Sequence, residues 1–183
     1  YLTSGSPPPR LGNGHPTIVP YEVFAASDGY LILAVGNDGQ FAKFCELAGR
    51  SGLSTDPRYS TNRARVLNRE TLIPLIADLM KRRPLAFWLE ALGEAGVPSG
   101  PVNRIDQVFE DAQVRHRRMV CTLDHPLASD PVPLVASPIR MDVTPPSYRQ
   151  APPVLGQHTE EVLRQAGLGE GDIADLRAKG IVQ

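Results

Sequence analysis

Two short apolar runs separated by a tight polar turn are the first regular feature of the chain. Residues 19–26 and 29–35 are rich in Val, Ile, Leu, Tyr and Phe, and Asp28-Gly29 lies where the two runs meet. An Asp-Gly pair favours a tight hairpin turn, because both residues tolerate the backbone conformations that such a turn requires. The pattern therefore predicts an antiparallel β-hairpin.

Three amphipathic segments follow the hairpin, each with apolar residues spaced three and four positions apart. This spacing is typical of helices that bury one face. Pro74 lies inside the second segment, so it either kinks that helix or belongs to its first turn. The first helix is expected to begin at Asn37 and to end at Gly49. The second has three alternative starts, Ser60, Thr61 and Asn68. The third is expected to begin at Pro84 and to end at Gly96.

The rest of the chain predicts short extended and helical segments. Prolines keep residues 97–102 extended, since a residue before proline avoids the helical region. We expect, in order, a helix at 105–114, strands at 120–123 and 132–140, a proline-rich connector at 145–153, a helix capped by Thr159, and a last helix from about 172 to 179. This order of elements predicts an α+β fold rather than an alternating βαβ chain.

Composition limits the class of protein without indicating a reaction. The 183 residues carry a formal net charge of −1, and 42% of them are hydrophobic. This balance predicts no attraction to nucleic acid or to an anionic membrane. No apolar run approaches the ~18 residues of a membrane-spanning helix. The first residues are neither a secretory signal nor an initiator methionine, so we expect a cytoplasmic chain that begins inside a larger protein.

Metal and redox chemistry have no support in the spacing of the ligand-type residues. The four histidines are scattered along the chain, and the two cysteines form no metal or redox motif. Structural and catalytic metal sites usually show closely spaced ligands on at least one element. We therefore expect no metal site.

Two polar segments are candidates for a functional site. Gly12, Asn13, Gly14 and His15 form a loop whose glycines allow the backbone to approach a ligand or to move as a lid, although the same composition is typical of a flexible linker. Asp38 lies where the second strand of the hairpin meets the first helix. A carboxylate there can cap the helix, or it can face a cleft as an acid, a base or an orienting group.

Seven short strings, taken in order, carry a family resemblance. They are Gly14-His15-Pro16, Pro20-Tyr21, Asp28-Gly29, Val35-Gly36-Asn37-Asp38, the run at 56–62, Gly96-Val97-Pro98 and the run at 151–159. Together they resemble the class III CoA-transferases (CaiB/BaiF type), which include formyl-CoA transferase and α-methylacyl-CoA racemase. The resemblance extends from about Gly12 to Ile181 and is to the C-terminal half of that family.

The resemblance implies an architecture larger than this chain. Residues 1–14 would be a linker from a large domain that is absent here, and residues 15–125 a small domain with an antiparallel sheet packed by helices. Residues 126–153 would be a return segment with a proline-rich linker, and residues 154–183 a helical tail packing on the large domain. Family members form interlocked homodimers, so the expected partners are the missing N-terminal half, or an equivalent chain, and a second copy.

The resemblance also implies a reaction. The family's transferases use an aspartate of the N-terminal half to take CoA from an acyl-CoA thioester and pass it to a carboxylic acid through an aspartyl-CoA thioester. No position here matches that aspartate, so we expect no catalytic nucleophile in this chain and no activity of the chain alone. Acyl-CoA would be a substrate, and no covalently bound cofactor is expected.

Only supporting residues carry over from the family. Gly12, Asn13, Gly14 and His15 match a loop that in some transferases closes over the intermediate and limits access of water. Asp38 matches an acidic position that supports proton transfer in the racemase branch. Two alternatives stay open: an α-methylacyl-CoA racemase-like isomerase, and a non-catalytic module for dimerisation or binding.

Overall fold

The computed structural model describes residues 1–3 and 5–183. The chain forms two compact units that divide between Arg104 and Ile105. Within the described residues, the N-terminal unit has a three-stranded sheet and five helices, and the C-terminal unit has a two-stranded sheet and four helices. The fold class is α+β, as the sequence predicts. The domain boundaries implied by the resemblance stay a prediction.

The N-terminal unit is built around the predicted hairpin. Its elements in chain order are β1 (Tyr21–Ala25), β2 (Tyr30–Ala34), α1 (Asp38–Leu47), α2 (Gly52–Thr55), α3 (Asn62–Leu67), α4 (Arg69–Met80), α5 (Leu85–Glu94) and β3 (Ser99–Pro101). β1 and β2 are antiparallel, with Tyr21 opposite Ala34. This confirms the hairpin.

The prolines at residues 97–102 do more than keep the backbone extended. Residues 99–101 pair with β2 as a third, antiparallel strand, with Leu31 opposite Pro101 and Leu33 opposite Ser99. A proline can occupy such a position because an edge strand leaves alternate N–H groups unpaired. The sequence predicted the extended conformation but not the pairing.

The hydrophobic core lies between this sheet and the helices. Leu31 and Leu33 of β2 pack in one cluster with Phe41 of α1, Ile76 of α4 and Trp88 of α5, all of them buried. Removal of these apolar surfaces from water is the main force that holds the unit together. The amphipathic stripes predicted for the three helices therefore face the core as expected.

Two details of the helices differ from the prediction. Pro84 precedes α5 at the N-cap position instead of lying in its first turn. Pro74 lies well inside α4, which begins at Arg69, so the alternative that placed it in the first turn is wrong and the kink stays a prediction. α4 therefore continues past a residue that has no N–H to donate to the preceding turn. Two of the three candidate starts of the second segment are used, because Thr61 caps α3 and Asn68 precedes α4.

The C-terminal unit begins with α6 (Ile105–Glu110) and α7 (Ala112–His116), where one helix was predicted. The break occurs because the Asp111 carboxylate accepts hydrogen bonds from the N–H groups of Gln113 (2.8 Å) and Val114 (3.1 Å) and so starts a new helix. β4 (Val120–Leu123) and β5 (Val132–Val135) form an antiparallel pair. The predicted strand at 132–140 thus ends five residues early.

Two helices close the chain, α8 (Thr159–Gln165) and α9 (Glu170–Ala178). The prediction that Thr159 caps a helix is wrong, because His158 occupies the cap position of α8 and Thr159 is already helical. α9 begins two residues before its predicted start. The side chain of Asp172 accepts a hydrogen bond from the N–H of Gly169 (3.1 Å) and so fixes the first turn.

Large apolar side chains of the C-terminal unit remain exposed. Leu155, Val162 and Ile181 are 85%, 57% and 65% exposed, and an open groove of about 720 Å³ lies between residues 153–159 and α8. Apolar surface of this kind commonly marks an interaction site.

No helix in the described part of the chain is long and apolar enough to cross a membrane.

Candidate functional site

The glycine-containing loop is hydrogen-bonded to the hairpin. The N–H of Gly14 donates to the carbonyl of Leu11 (2.9 Å) and closes a turn. The side-chain oxygen of Asn13 accepts from the N–H of Val23 in β1 (3.0 Å). Gly12 has a φ of +59°, the left-handed conformation that glycine adopts most easily. The loop is therefore folded against β1 rather than being a free linker.

The ring of His15 is held in one orientation by its surroundings. Its Nδ1 accepts hydrogen bonds from the N–H groups of Thr17 (3.2 Å) and Ile18 (3.1 Å). The ring also stacks on Tyr21, with centroids 5.2 Å apart and planes 13° apart. Because Nδ1 acts as an acceptor, the proton of the neutral ring is on Nε2. His15 is therefore suited to donate a hydrogen bond from Nε2 to an anionic group.

Gly14 lies against a half-buried carboxylate. A Cβ atom at this position would come within 2.7 Å of Oε2 of Glu22 and 3.1 Å of the Leu11 carbonyl oxygen. Burial raises the pKa of the Glu22 carboxyl above its usual range, and the positive charge of Arg69 opposes this shift only in part. A larger residue at position 14 would displace the flexible end of the Glu22 side chain and would crowd the Leu11 carbonyl.

A buried arginine connects the first helix to the segment that follows the loop. The side chain of Arg65 is fully buried, with Nε donating to the Val19 carbonyl (2.6 Å) and Nη1 to the Tyr59 carbonyl (3.0 Å). Its guanidinium lies 4.4 Å from the centre of the Phe41 ring, an arrangement that attracts a cation to the ring face.

Asp38 is the charge partner of this arginine. Its Oδ1 lies 2.9 Å from Nη2 of Arg65, as an ion pair rather than an aligned hydrogen bond. Burial lowers the pKa of the Arg65 guanidinium below its usual range, and the contact with Asp38 opposes that effect. The Asp38 side chain is 53% exposed. It therefore balances a buried charge while remaining in contact with solvent.

The interpretation of Asp38 as a helix cap is wrong. The cap of α1 is Asn37, whose side-chain oxygen accepts from the N–H of Gln40 (2.9 Å). In return, the Gln40 side chain accepts from the N–H of Gly36 (2.8 Å). An amide side chain satisfies the first turn of the helix as well as a carboxylate would, so Asp38 is left available to pair with Arg65.

The structure brings together some of the predicted site residues but not others. Gly12, Asn13, Gly14 and His15 form one ordered loop. In the described part of the chain, no hydrogen bond or ion pair joins this loop to Asp38. The connection runs through Arg65 and the main chain that follows His15. The role of each residue in a reaction stays a prediction.

Sequence reasoning missed four side chains around the loop: Glu22, Asn62, Arg65 and Arg69. A signal was present for the two arginines. Arg65 and Arg69 are four residues apart, a spacing that predicts one shared side of a single helix, although the structure ends α3 at Leu67 and begins α4 at Arg69. That side is buried at Arg65, and buried charges in proteins are usually paired.

No cluster of three or more His, Cys, Asp or Glu residues suited to a metal ion occurs among the described residues. Both cysteines are free thiols. Burial raises the pKa of the Cys45 thiol to about 11. Cys45 is therefore protonated near neutral pH and a poor nucleophile.

Comparison with known proteins identifies the family of the chain. A family profile described as CoA-transferase family III matches residues 1–159. The chain is 42% identical over 167 residues to a succinate–glutarate CoA-transferase of Agrobacterium fabrum, which covers 90% of this chain and 41% of that protein. It is 36% identical over 171 residues to a succinyl-CoA:mesaconate CoA-transferase of Haloarcula hispanica, covering 93% of this chain and 42% of that protein.

Solved structures give the same result. A CaiB/BaiF family protein from Brucella suis matches with a TM-score of 0.70 and 39% identity, covering 90% of this chain and 42% of that one. The chain thus spans about two fifths of the length of the relatives it matches. The profile match extends over most of the sequence, and the chain belongs to CoA-transferase family III.

Proposed function

We propose that this chain is the C-terminal portion of an enzyme that moves CoA from an acyl-CoA thioester to a carboxylic acid. The observation that carries the proposal is the ordered loop at Gly12–His15, with His15 Nε2 fixed as a donor. This loop occurs in a chain with 42% identity to a named succinate–glutarate CoA-transferase. A dicarboxylic acid is therefore the first acceptor to test.

The proposed chemistry uses an aspartate that lies outside this chain. Its carboxylate attacks the thioester carbonyl, CoA thiolate leaves, and a mixed anhydride forms. The thiolate then attacks the aspartyl carbonyl, which releases the first acid as a carboxylate and leaves an aspartyl-CoA thioester. The acceptor carboxylate repeats these steps in reverse and leaves as the new acyl-CoA. Acyl-CoA is a substrate here, and the proposal includes no bound cofactor.

In this proposal the loop acts on the acid and also shields the thioester intermediate. Nε2–H of His15 donates a hydrogen bond to the carboxylate of the entering or leaving acid. The loop at Gly12–His15 covers the aspartyl-CoA thioester, which excludes water and so limits hydrolysis. Asp38 balances the charge of Arg65 and keeps its side chain in place. These are supporting roles, because none of these residues forms a covalent bond to CoA.

The proposed partners are an N-terminal portion that supplies the aspartate and a second copy of the assembled protein. Leu155, Val162 and the groove beside α8 are exposed and apolar. This surface supports an N-terminal portion as its partner, because burying it would remove apolar area from water.

A chimaera tests the proposal. The matched segment of the Agrobacterium fabrum relative is replaced by this chain, and transfer of CoA from succinyl-CoA to glutarate is measured. The unaltered relative is the positive control, and this chain alone is the negative control. We expect transfer by the chimaera and none by the chain alone.

Two results would contradict the proposal. One is a chimaera with the same oligomeric mass and cooperative unfolding as the relative but without transfer to glutarate or to other carboxylic acids. The other is transfer by this chain alone. Exchange of the α-proton of a 2-methylacyl-CoA in D₂O without CoA transfer would instead indicate the racemase alternative.

A further inference from the structure

The main chain from His15 to Val19 is held by side chains of the neighbouring helices. Arg69, the first residue of α4, donates from Nη2 to the carbonyls of both His15 (3.0 Å) and Pro16 (2.9 Å). One guanidinium therefore bridges two successive carbonyls at the C-terminal end of the glycine-containing loop.

Two residues of α3 continue this pattern. Asn62 donates from its side-chain nitrogen to the Thr17 carbonyl (2.8 Å) and accepts from the N–H of Val19 (3.1 Å). Arg65 donates from Nε to the Val19 carbonyl (2.6 Å). Three side chains from one helical region thus make five hydrogen bonds to four residues of the segment.

The sequence of this segment explains why side chains take this role. Pro16 and Pro20 have no N–H, so the segment cannot form a regular ladder with a neighbouring strand. Val19 is only 2% exposed, and a buried carbonyl without a donor is costly. Donors with a positive charge form stronger hydrogen bonds than neutral ones, and two of the three side chains are arginines.

The two ends of the loop are held differently. Beyond its C-terminal end, the segment at 15–19 is bound by Arg69, Asn62 and Arg65. Within the loop, Gly12 has no heavy atom within 4 Å of the position that a Cβ would take. The space beside Gly12 is therefore open, whereas the main chain at His15 is held by the guanidinium of Arg69.

We propose that Asn62, Arg65 and Arg69 are positioning residues that anchor the loop at His15 and fix the direction of its imidazole. We call the segment at residues 15–19, together with these three side chains, the His15 anchor. Asp38 belongs to it indirectly, because it pairs with Arg65. The role of the anchor in catalysis rests on the proposed function. Its mechanical role, which is to hold the main chain at residues 15–19 in place, does not.

Hydrogen–deuterium exchange of the 183-residue chain tests the mechanical role. Arg69→Met and Asn62→Ala remove donors without introducing a charge, and Arg63→Met is the matched control, since Arg63 is an exposed arginine of α3, the helix that carries Asn62. We expect the amides of Thr17, Ile18 and Val19 to exchange about tenfold faster in the first two variants, because each variant removes two hydrogen bonds to the segment. Amides of the core strand β2 should be unchanged.

Kinetics of the chimaera test the catalytic role. Loss of orientation lowers kcat more than it raises KM, because the reacting groups are misplaced while substrate contacts remain. We expect Arg69→Met to lower kcat about tenfold or more, with KM for the acid changed less than threefold. Arg69→Lys should recover part of this loss, because an ammonium group can still donate to one of the two carbonyls.

The outcomes separate the anchor from the proposed function. Exchange rates at residues 17–19 that equal those of the parent in both Arg69→Met and Asn62→Ala would overturn the anchor, whatever the chimaera does. Equal kcat values in Arg69→Met and Arg63→Met would overturn its catalytic role. A chimaera with the native anchor but no transfer would count against the proposed function alone, since the exchange experiment does not depend on it.

Discussion

Arg65→Met removes a fully buried guanidinium while keeping most of the apolar length of the side chain. Arg65 donates to the carbonyls of Val19 (2.6 Å) and Tyr59 (3.0 Å), pairs with Asp38 and packs on Phe41. In the variant both carbonyls lose their donor. The substitution therefore tests whether this charge stabilises the N-terminal unit.

The expected magnitude is a difference between opposing terms. Two buried carbonyls without donors cost about 1–3 kcal/mol each, and loss of the contact with Phe41 adds about 0.5–2 kcal/mol. Against this, a methionine avoids the cost of burying a cation, which is several kcal/mol. We expect the free energy of unfolding to fall by about 2–4 kcal/mol, less than the total stability of a typical domain.

Urea unfolding followed by tryptophan fluorescence measures the change in the free energy of unfolding of the N-terminal unit. Trp88 is the single tryptophan of the chain, is 1% exposed, and donates from its indole N–H to the Met80 carbonyl (2.8 Å). The emission of Trp88 therefore reports unfolding of the N-terminal unit. Separate unfolding of the C-terminal unit would make the whole chain depart from two-state behaviour, but it would not change this signal.

Asp38→Asn is the companion variant. Because Asp38 is half exposed, water replaces part of its interaction, and we expect a loss of only about 1 kcal/mol. In the Arg65→Met background the same change should cost close to nothing, since the partner charge is gone. An Arg65→Met variant within about 0.5 kcal/mol of the parent would refute the reasoning, because it would mean that both carbonyls are satisfied without Arg65.

Three further predictions concern the loop and the hairpin. Gly12→Ala should lower stability by about 1 kcal/mol, since its φ of +59° is strained for a residue with a Cβ; Gly12→Asn should cost less in the same urea titration. Glu22→Gln should raise the melting temperature at pH 7. The parent loses stability as pH rises through the elevated pKa of Glu22, because the folded state keeps the Glu22 carboxyl protonated to a higher pH than the unfolded chain does. The difference in melting temperature between Glu22→Gln and the parent should vanish at a pH low enough to protonate the carboxyl in both states. Asp28→Ala should cost about 1 kcal/mol, because the Asp28 carboxylate accepts from the N–H of Leu85 at 2.7 Å. Asp28→Asn keeps an acceptor and should cost much less, and equal losses in the two variants would contradict this assignment.

The hairpin and the buried stripes of the helices could be predicted from the sequence because their causes are local. Asp28-Gly29 suits a tight turn, and the apolar spacing of α1, α4 and α5 allows one face to be buried. Helix ends were less predictable. For α1 the sequence offered both Asn37 and Asp38, and Asn37 is the cap; Asp111 divides one predicted helix into two, because several polar residues close to each start compete for the same N–H groups.

The candidate site was predicted only in part. The sequence singled out Gly12, Asn13, Gly14 and His15 as one loop, and the structure shows them folded together against β1. The sequence did not indicate that backbone N–H groups would donate to His15 Nδ1, which leaves Nε2 as the donor. That arrangement depends on the path of residues 15–19, and their path depends on α3 and α4.

The sequence by itself determined the class of fold, the hairpin and the family, since these follow from local periodicity, turn residues and short strings in a fixed order. Tertiary structure decided which distant residues meet. Asp28 caps a helix 57 positions away, and Arg69 reaches His15 across 54 positions. Contacts of this kind depend on how the helices pack on the sheet, and that packing results from the whole core rather than from any one segment.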